Sequence, residues 1–165
     1  MADPSASYSG RFSRDGYLIL ENQIDTTAIE QILRIWRADP SLASEVKENA
    51  NFAGDDGIRT RLAYRPRLAD DAYSALAQSA RLVEPLEQIY ATSVQHYYTL
   101  NMQKDPGTGG WEYHQDYGYH YREFLYPDFV SVMVALDPAT RENGCLRVVR
   151  GSHRLGRLEH EHFGS

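Results

Sequence analysis

Residues 111–121 read Trp111-Glu112-Tyr113-His114-Gln115-Asp116-Tyr117-Gly118-Tyr119-His120-Tyr121, with two histidines, one aspartate and five aromatics in eleven positions. The segment up to Asp116 has the look of a strand that returns from a glycine-rich turn. In a strand, residues i and i+2 project to one face, so His114 and Asp116 stand side by side and Gln115 faces away. Their Cα atoms would be about 7 Å apart, close enough for one imidazole nitrogen and one carboxylate oxygen to converge on a single ion. On the tripeptide alone, a pocket histidine hydrogen-bonded to a nearby carboxylate is the plainer reading. The setting favours the metal: the pair ends a strand, follows a glycine-rich turn and precedes aromatics able to wall a pocket. Such a pair supplies two members of the two-histidine, one-carboxylate arrangement that leaves positions open on Fe(II).

Working outward, Gln95–Met102 reads as a strand and Asp105–Gly110 as the turn that ends it. Phe129–Leu136 is expected as a third strand, closed by Asp137-Pro138. Asn143-Gly144 is a turn signal before a fourth strand, Cys145–Val149, which stops at Gly151. The chain before Val94 has helical periods instead. Asp25 or Thr26 caps a helix whose Ile29, Ile32, Leu33 and Trp36 share a face, and Pro40 marks its end. A second helical region covers Tyr73 to about Thr92, split by Pro85. Residues 41–72 are expected as loop with one short strand. Asp15-Gly16 opens a short apolar strand, Tyr17–Leu20, after a disordered leader over 1–10. Residues 11–165 then form one domain. Helices first and antiparallel strands afterwards make the class α+β, with the sheet folding towards a sandwich or barrel.

At 165 residues the chain can bury roughly two-thirds of its unfolded surface. Its net charge of −6 gives no general attraction for nucleic acid or an anionic membrane. No apolar run approaches the ~20 residues of a membrane span. Cys145 is the single cysteine, which excludes an intrachain disulfide and points to a reducing, cytoplasmic setting. It reads as core filler, with no base partner in sequence. Five arginines lie between Arg141 and Arg157, against the overall acidity. They fit either an anionic substrate group or a solvated strand edge.

Three pieces in order carry a likeness: Lys104-Asp105-Pro106-Gly107 with His114-Gln115-Asp116 after it, Ser131–Asp137 (SVMVALD), and Glu142–His153 (ENGCLRVVRGSH). With Phe12–Tyr17 (FSRDGY) near the start, the chain resembles the phytanoyl-CoA dioxygenase family of Fe(II)- and 2-oxoglutarate-dependent oxygenases. The resemblance implies a double-stranded β-helix, a cupin-like jelly roll, with flanking N-terminal helices. It implies that His114 and Asp116 are iron ligands, that 2-oxoglutarate is the co-substrate, and that a small-molecule C–H bond is hydroxylated. Asn101 and Gln103, which share a strand face, are the expected co-substrate contacts. Tyr113 or Tyr117 is expected to orient the ligands. Tyr117, Tyr119 and His120 either border the substrate opening or form an aromatic loop packed on the sheet.

The same family places a second histidine ligand a few dozen residues after its G-S-H element, and an arginine for 2-oxoglutarate shortly beyond. Only twelve residues follow His153 here, so both are expected to be missing and the chain to be weakly active or inactive. About four strands are legible after Val94, too few for eight. Two other readings stand beside the oxygenase. One is a non-catalytic half-barrel whose exposed sheet edges support homodimers. The other is a compact cupin-type metalloprotein that takes His153 as third ligand. His160 and His162 read as part of a solvated tail.

Overall fold

The computed structural model describes residues 7–40, 46–48, 59–104, 113–120, 122–126 and 128–159. The first helix, α1 (Tyr8–Asp15), is bounded by two residues whose roles are local. Ser7 accepts the Gly10 N–H at 3.0 Å, and Gly16, at φ 81°, returns its own N–H to Phe12 O at 2.7 Å. Asp15-Gly16 therefore ends a helix in the left-handed conformation that glycine tolerates, instead of opening a strand. This corrects two expectations: α1 begins inside the stretch read as leader, and Tyr17–Leu20 is not a strand.

Helix α2 (Thr26–Arg37) starts after Asp25 as its sequence signals require, and it buries Ile32. Its Trp36 meets Tyr73 edge-on at 6.0 Å. Strands β1 (Val46–Glu48) and β2 (Arg59–Arg65) follow, so the middle of the chain holds two strands and not one. Helix α3 (Ala72–Ala77) is capped by Asp71, whose carboxylate accepts the Ser74 N–H at 2.7 Å. Helix α4 (Ala80–Tyr90) begins immediately after Ser79. The break expected at Pro85 lies instead at Gln78-Ser79. Pro85 sits buried inside α4, where its missing N–H leaves one carbonyl of the first turn without its usual partner.

Strand β3 (Thr99–Lys104) completes one antiparallel sheet of order β1-β2-β3. In the β2–β3 register, Ala63 stands opposite Asn101 and Tyr64 opposite Leu100. Ala63 and Asn101 are both 2 % exposed, and their face carries Arg65 towards the helices. There the Arg65 guanidinium lies 4.5 Å over the Tyr73 ring and 2.6 Å from Asp39 just beyond α2. Tyr64 and Leu100, on the other face, are exposed.

The remaining expected strands are corrected as well. Trp111 and Glu112, like the Asp105–Gly110 turn, lie outside the described residues. Tyr113–Gln115 is not strand, and Asp116 opens a short helix, α5 (Asp116–His120). Phe129–Leu136 and Cys145–Val149 run without ladder partners among the described residues, so neither is a strand. A ladder needs a neighbour to pair with, however strong the local β signal. The turn between them is present: Cys145 N donates to Thr140 O at 2.9 Å and Gly144 takes φ 80°. A 3₁₀ turn, Ser152–Leu155, follows Gly151.

Candidate metal centre

Asp116 leads α5, and the chain bends just before it. The side-by-side projection expected from a strand does not apply, yet the bend brings the two groups together. His114 Nε2 lies 3.5 Å from Asp116 Oδ1, with both side chains partly exposed. The Ser131 hydroxyl donates to the other carboxylate oxygen, Oδ2. That bond leaves Oδ1 turned towards the imidazole. Ser131 stands in the SVMVALD piece of the sequence, where nothing local marks it as a partner of Asp116; only the fold reveals it.

Gln115, between the two, is held at both ends of its amide. Nε2 donates to Gly156 O at 2.8 Å and Oε1 accepts from Leu158 N at 2.9 Å. Aromatic rings lead up to the pair from the sheet. Tyr64 and Tyr98 have ring centres 5.3 Å apart, Tyr97 and Tyr98 5.0 Å, and Tyr97 and Phe124 5.1 Å. Phe129 then touches Phe124 at 5.4 Å and Tyr117 at 6.2 Å. The Tyr98 hydroxyl is held above its ordinary pKa, first by burial and then by the negative charge of Asp116. Tyr97 is pushed up to about 12, chiefly because its hydroxyl donates to Glu123. Tyr117 packs against Phe129, and Tyr113 lies beneath the Arg147 guanidinium at 5.7 Å.

Asn101 and Gln103 sit on β3, on the face opposite Tyr64 and therefore away from the rings that approach Asp116. The Asn101 Nδ2 is buried with no hydrogen-bond partner among the described residues. The side chains of Tyr119 and His120, and all of Tyr121, His160 and His162, lie outside what the structure describes.

His153 does not join the pair, which overturns the compact three-ligand reading. Among the described residues no third histidine, cysteine, aspartate or glutamate gathers with His114 and Asp116. His153 is turned instead to the end of α1, where Nε2 donates to Ser13 O at 2.9 Å. Its ring covers Gly16 so closely that a Cβ there would fall 2.3 Å from Nδ1. The neighbours of His153 do the same. Gly151 N donates to Asp15 O at 2.9 Å, and Arg154 Nη2 to Arg14 O at 2.9 Å and Ser13 O at 3.2 Å. Arg150 Nε reaches Asp15 Oδ1 at 2.7 Å. The last carbonyls of α1, which have no partners within the helix, are thus satisfied from the far end of the chain. Two of the five arginines, Arg150 and Arg154, serve this clamp, and a third, Arg147, lies over Tyr113.

The chain is 26% identical over 152 residues to L-proline trans-4-hydroxylase of Streptomyces griseoviridis, covering 90% of this chain and 55% of that protein. It is 26% identical over 147 residues to the "probable alpha-ketoglutarate-dependent hypophosphite dioxygenase" of Stutzerimonas stutzeri, covering 84% and 50% respectively. The chain therefore spans about half the length of these relatives. No solved structure gives a significant match. The family model for phytanoyl-CoA dioxygenase matches residues 12–164, and the chain belongs to that family.

Proposed function

We propose that His114 and Asp116 hold Fe(II) in a 2-oxoglutarate-dependent dioxygenase that hydroxylates a small molecule. The observation that carries this is the 3.5 Å approach of His114 Nε2 to Asp116 Oδ1, in a chain of this family. A nitrogen and a carboxylate oxygen at that spacing suit a divalent iron. The family implies a cupin-like fold, and iron with 2-oxoglutarate supplies, when bound, the oxygen chemistry that the protein itself lacks.

The chain's own residues do the positioning. Ser131 fixes the rotation of the Asp116 carboxylate, and the aromatic run from Tyr64 to Tyr117 leads from the sheet to the pair. The third ligand, in this reading, comes from outside the described residues. For the co-substrate the proposed contacts are Asn101, whose buried Nδ2 has no hydrogen-bond partner among the described residues, and Gln103 beside it on the same face. The single free cysteine supports a reducing, cytoplasmic setting. Among the described residues no helix is long and apolar enough to cross a membrane.

Succinate release from 2-oxoglutarate, measured with Fe(II) and ascorbate across a panel of amino acids and small oxyanions, tests the reading. The expected result is turnover that Asp116→Ala abolishes. Turnover that survives in Asp116→Ala would remove the pair from the reaction.

A further inference from the structure

The metal pair is not anchored by its own helix, which has five residues, nor by a strand. Besides the Ser131 bond to Asp116, the middle residue ties it to the rest of the fold. Gln115 uses both ends of one planar amide on main-chain atoms of a single segment, Gly156 O at 2.8 Å and Leu158 N at 2.9 Å. That segment directly follows the residues clamped on α1 through Gly151, His153 and Arg154. A continuous set of hydrogen bonds therefore runs from the α1 carbonyls, through the Gly151–Leu158 strap, to the tripeptide that carries both candidate ligands.

We propose that Gln115 is a positioning residue for the metal pair, and that the strap clamped on α1 holds it in place. This rests on the reading of His114 and Asp116 as ligands. The physical reason is that His114 and Asp116 are attached on either side of Gln115, so the backbone angles at that residue contribute directly to whether Nε2 and Oδ1 converge. Fixing the Gln115 side chain at two points restricts those angles before any ion arrives. The amide is needed for its polarity: one end must donate to a carbonyl and the other must accept from an N–H. The FSRDGY and GSH pieces, far apart in sequence, acquire one shared purpose, since the first supplies the helix end to which the second is tied.

The test uses the full chain and Mn(II), a spin probe whose free signal falls as it binds, in wild type, Gln115→Met and Arg154→Met. Methionine keeps length and neutrality but makes neither bond, so no charge is added near the ion. Hydrogen exchange at the Leu158 amide reports the strap separately, and thermal melting reports the fold. In wild type we expect saturable Mn(II) binding and a protected Leu158 amide. In Gln115→Met the affinity should fall on the order of 10-fold, as for other partners that orient metal ligands. The Leu158 amide should lose protection while the melting temperature holds. Arg154→Met, at the α1 end of the strap, should lower affinity in the same direction, and the double variant should be no worse than Gln115→Met alone. Wild-type affinity in either single variant overturns the proposal while leaving the ligand pair intact. No binding by wild type itself would mean that the pair is not a metal site, and the proposal would fall with it.

Discussion

At Asp39, one carboxylate oxygen receives both the Arg65 guanidinium at 2.6 Å and the Tyr73 hydroxyl at 3.0 Å. Arg65 also stacks on Tyr73, so three residues from the end of α2, from β2 and from α3 lock together beside Trp36. Removing the carboxylate by Asp39→Ala takes the nearest negative charge from the half-buried guanidinium and leaves it the more distant Asp71 carboxylate at 3.8 Å. The expected loss is roughly 2–3 kcal/mol in urea denaturation, against about 1 kcal/mol for Tyr73→Phe, which gives up one hydrogen bond. The same residue sets a pH limit. Burial first, and the bond to Asp39 second, push the Tyr73 hydroxyl up to about 12. The unfolded chain ionises its tyrosines near 10. Stability from Tyr73 is therefore complete below about pH 10 and is lost as pH rises towards 12. Denaturation curves at pH 9 and 11 should show this fall, and Tyr73→Phe should make it smaller. Tyr97, raised for a different reason, accounts for part of what remains. None of this hub was legible in sequence: Asp39 precedes Pro40 and looked like the end of a helix, because its partners lie 26 and 34 residues away.

At the scale of elements, α1 and the strap after Arg150 show how a local signal can mislead. Asp15-Gly16 is a turn signal beside an apolar run, and it is also a helix ending; only the His153 ring above Gly16 and the bonds to Ser13, Arg14 and Asp15 decide between them. Gly16→Ala should cost at least 1–2 kcal/mol, since φ 81° is unfavourable for a residue with a Cβ and the His153 ring must also move. Loss of the His153 bond to Ser13 should then appear as faster hydrogen exchange around Gly151–Arg154. The clamp should resist acid. The Arg14 guanidinium, with help from Arg150 and against some burial, holds the Asp15 carboxyl well below the usual carboxylate range. A lowered folded pKa means that its stabilisation is present above the ordinary carboxylate value and disappears only as pH falls through the lower one. The helix end should thus stay clamped at pH 4, where ordinary carboxylates are half protonated; release there would contradict the account. The pairing of His114 with Asp116 was legible although the element carrying it was read as a strand, because both a strand and the observed bend bring the two side chains together.

The described residues form a three-stranded sheet, a small set of buried side chains and a long apolar surface on the segments after Phe129. Val132, Met133, Leu146, Val148, Val149, Leu155 and Leu158 are all exposed. The family was legible because its motifs are short, ordered and spread from Phe12 to His153. The strands expected at Phe129–Leu136 and Cys145–Val149 are not formed among the described residues, because alternation shows which residues want cover and not what covers them. An open apolar surface of this kind favours self-association. We expect the apparent mass in sedimentation to rise with protein concentration, and substitution of Met133 and Val148 by glutamate to suppress the rise.

The central claim is that His114 and Asp116 hold iron for 2-oxoglutarate chemistry, and anaerobic Fe(II) titration of the chain with and without 2-oxoglutarate tests it most directly. The account predicts a saturable metal-to-ligand charge-transfer band that requires 2-oxoglutarate and vanishes in His114→Ala. A folded chain that shows no band, or a band unchanged in His114→Ala, would contradict it.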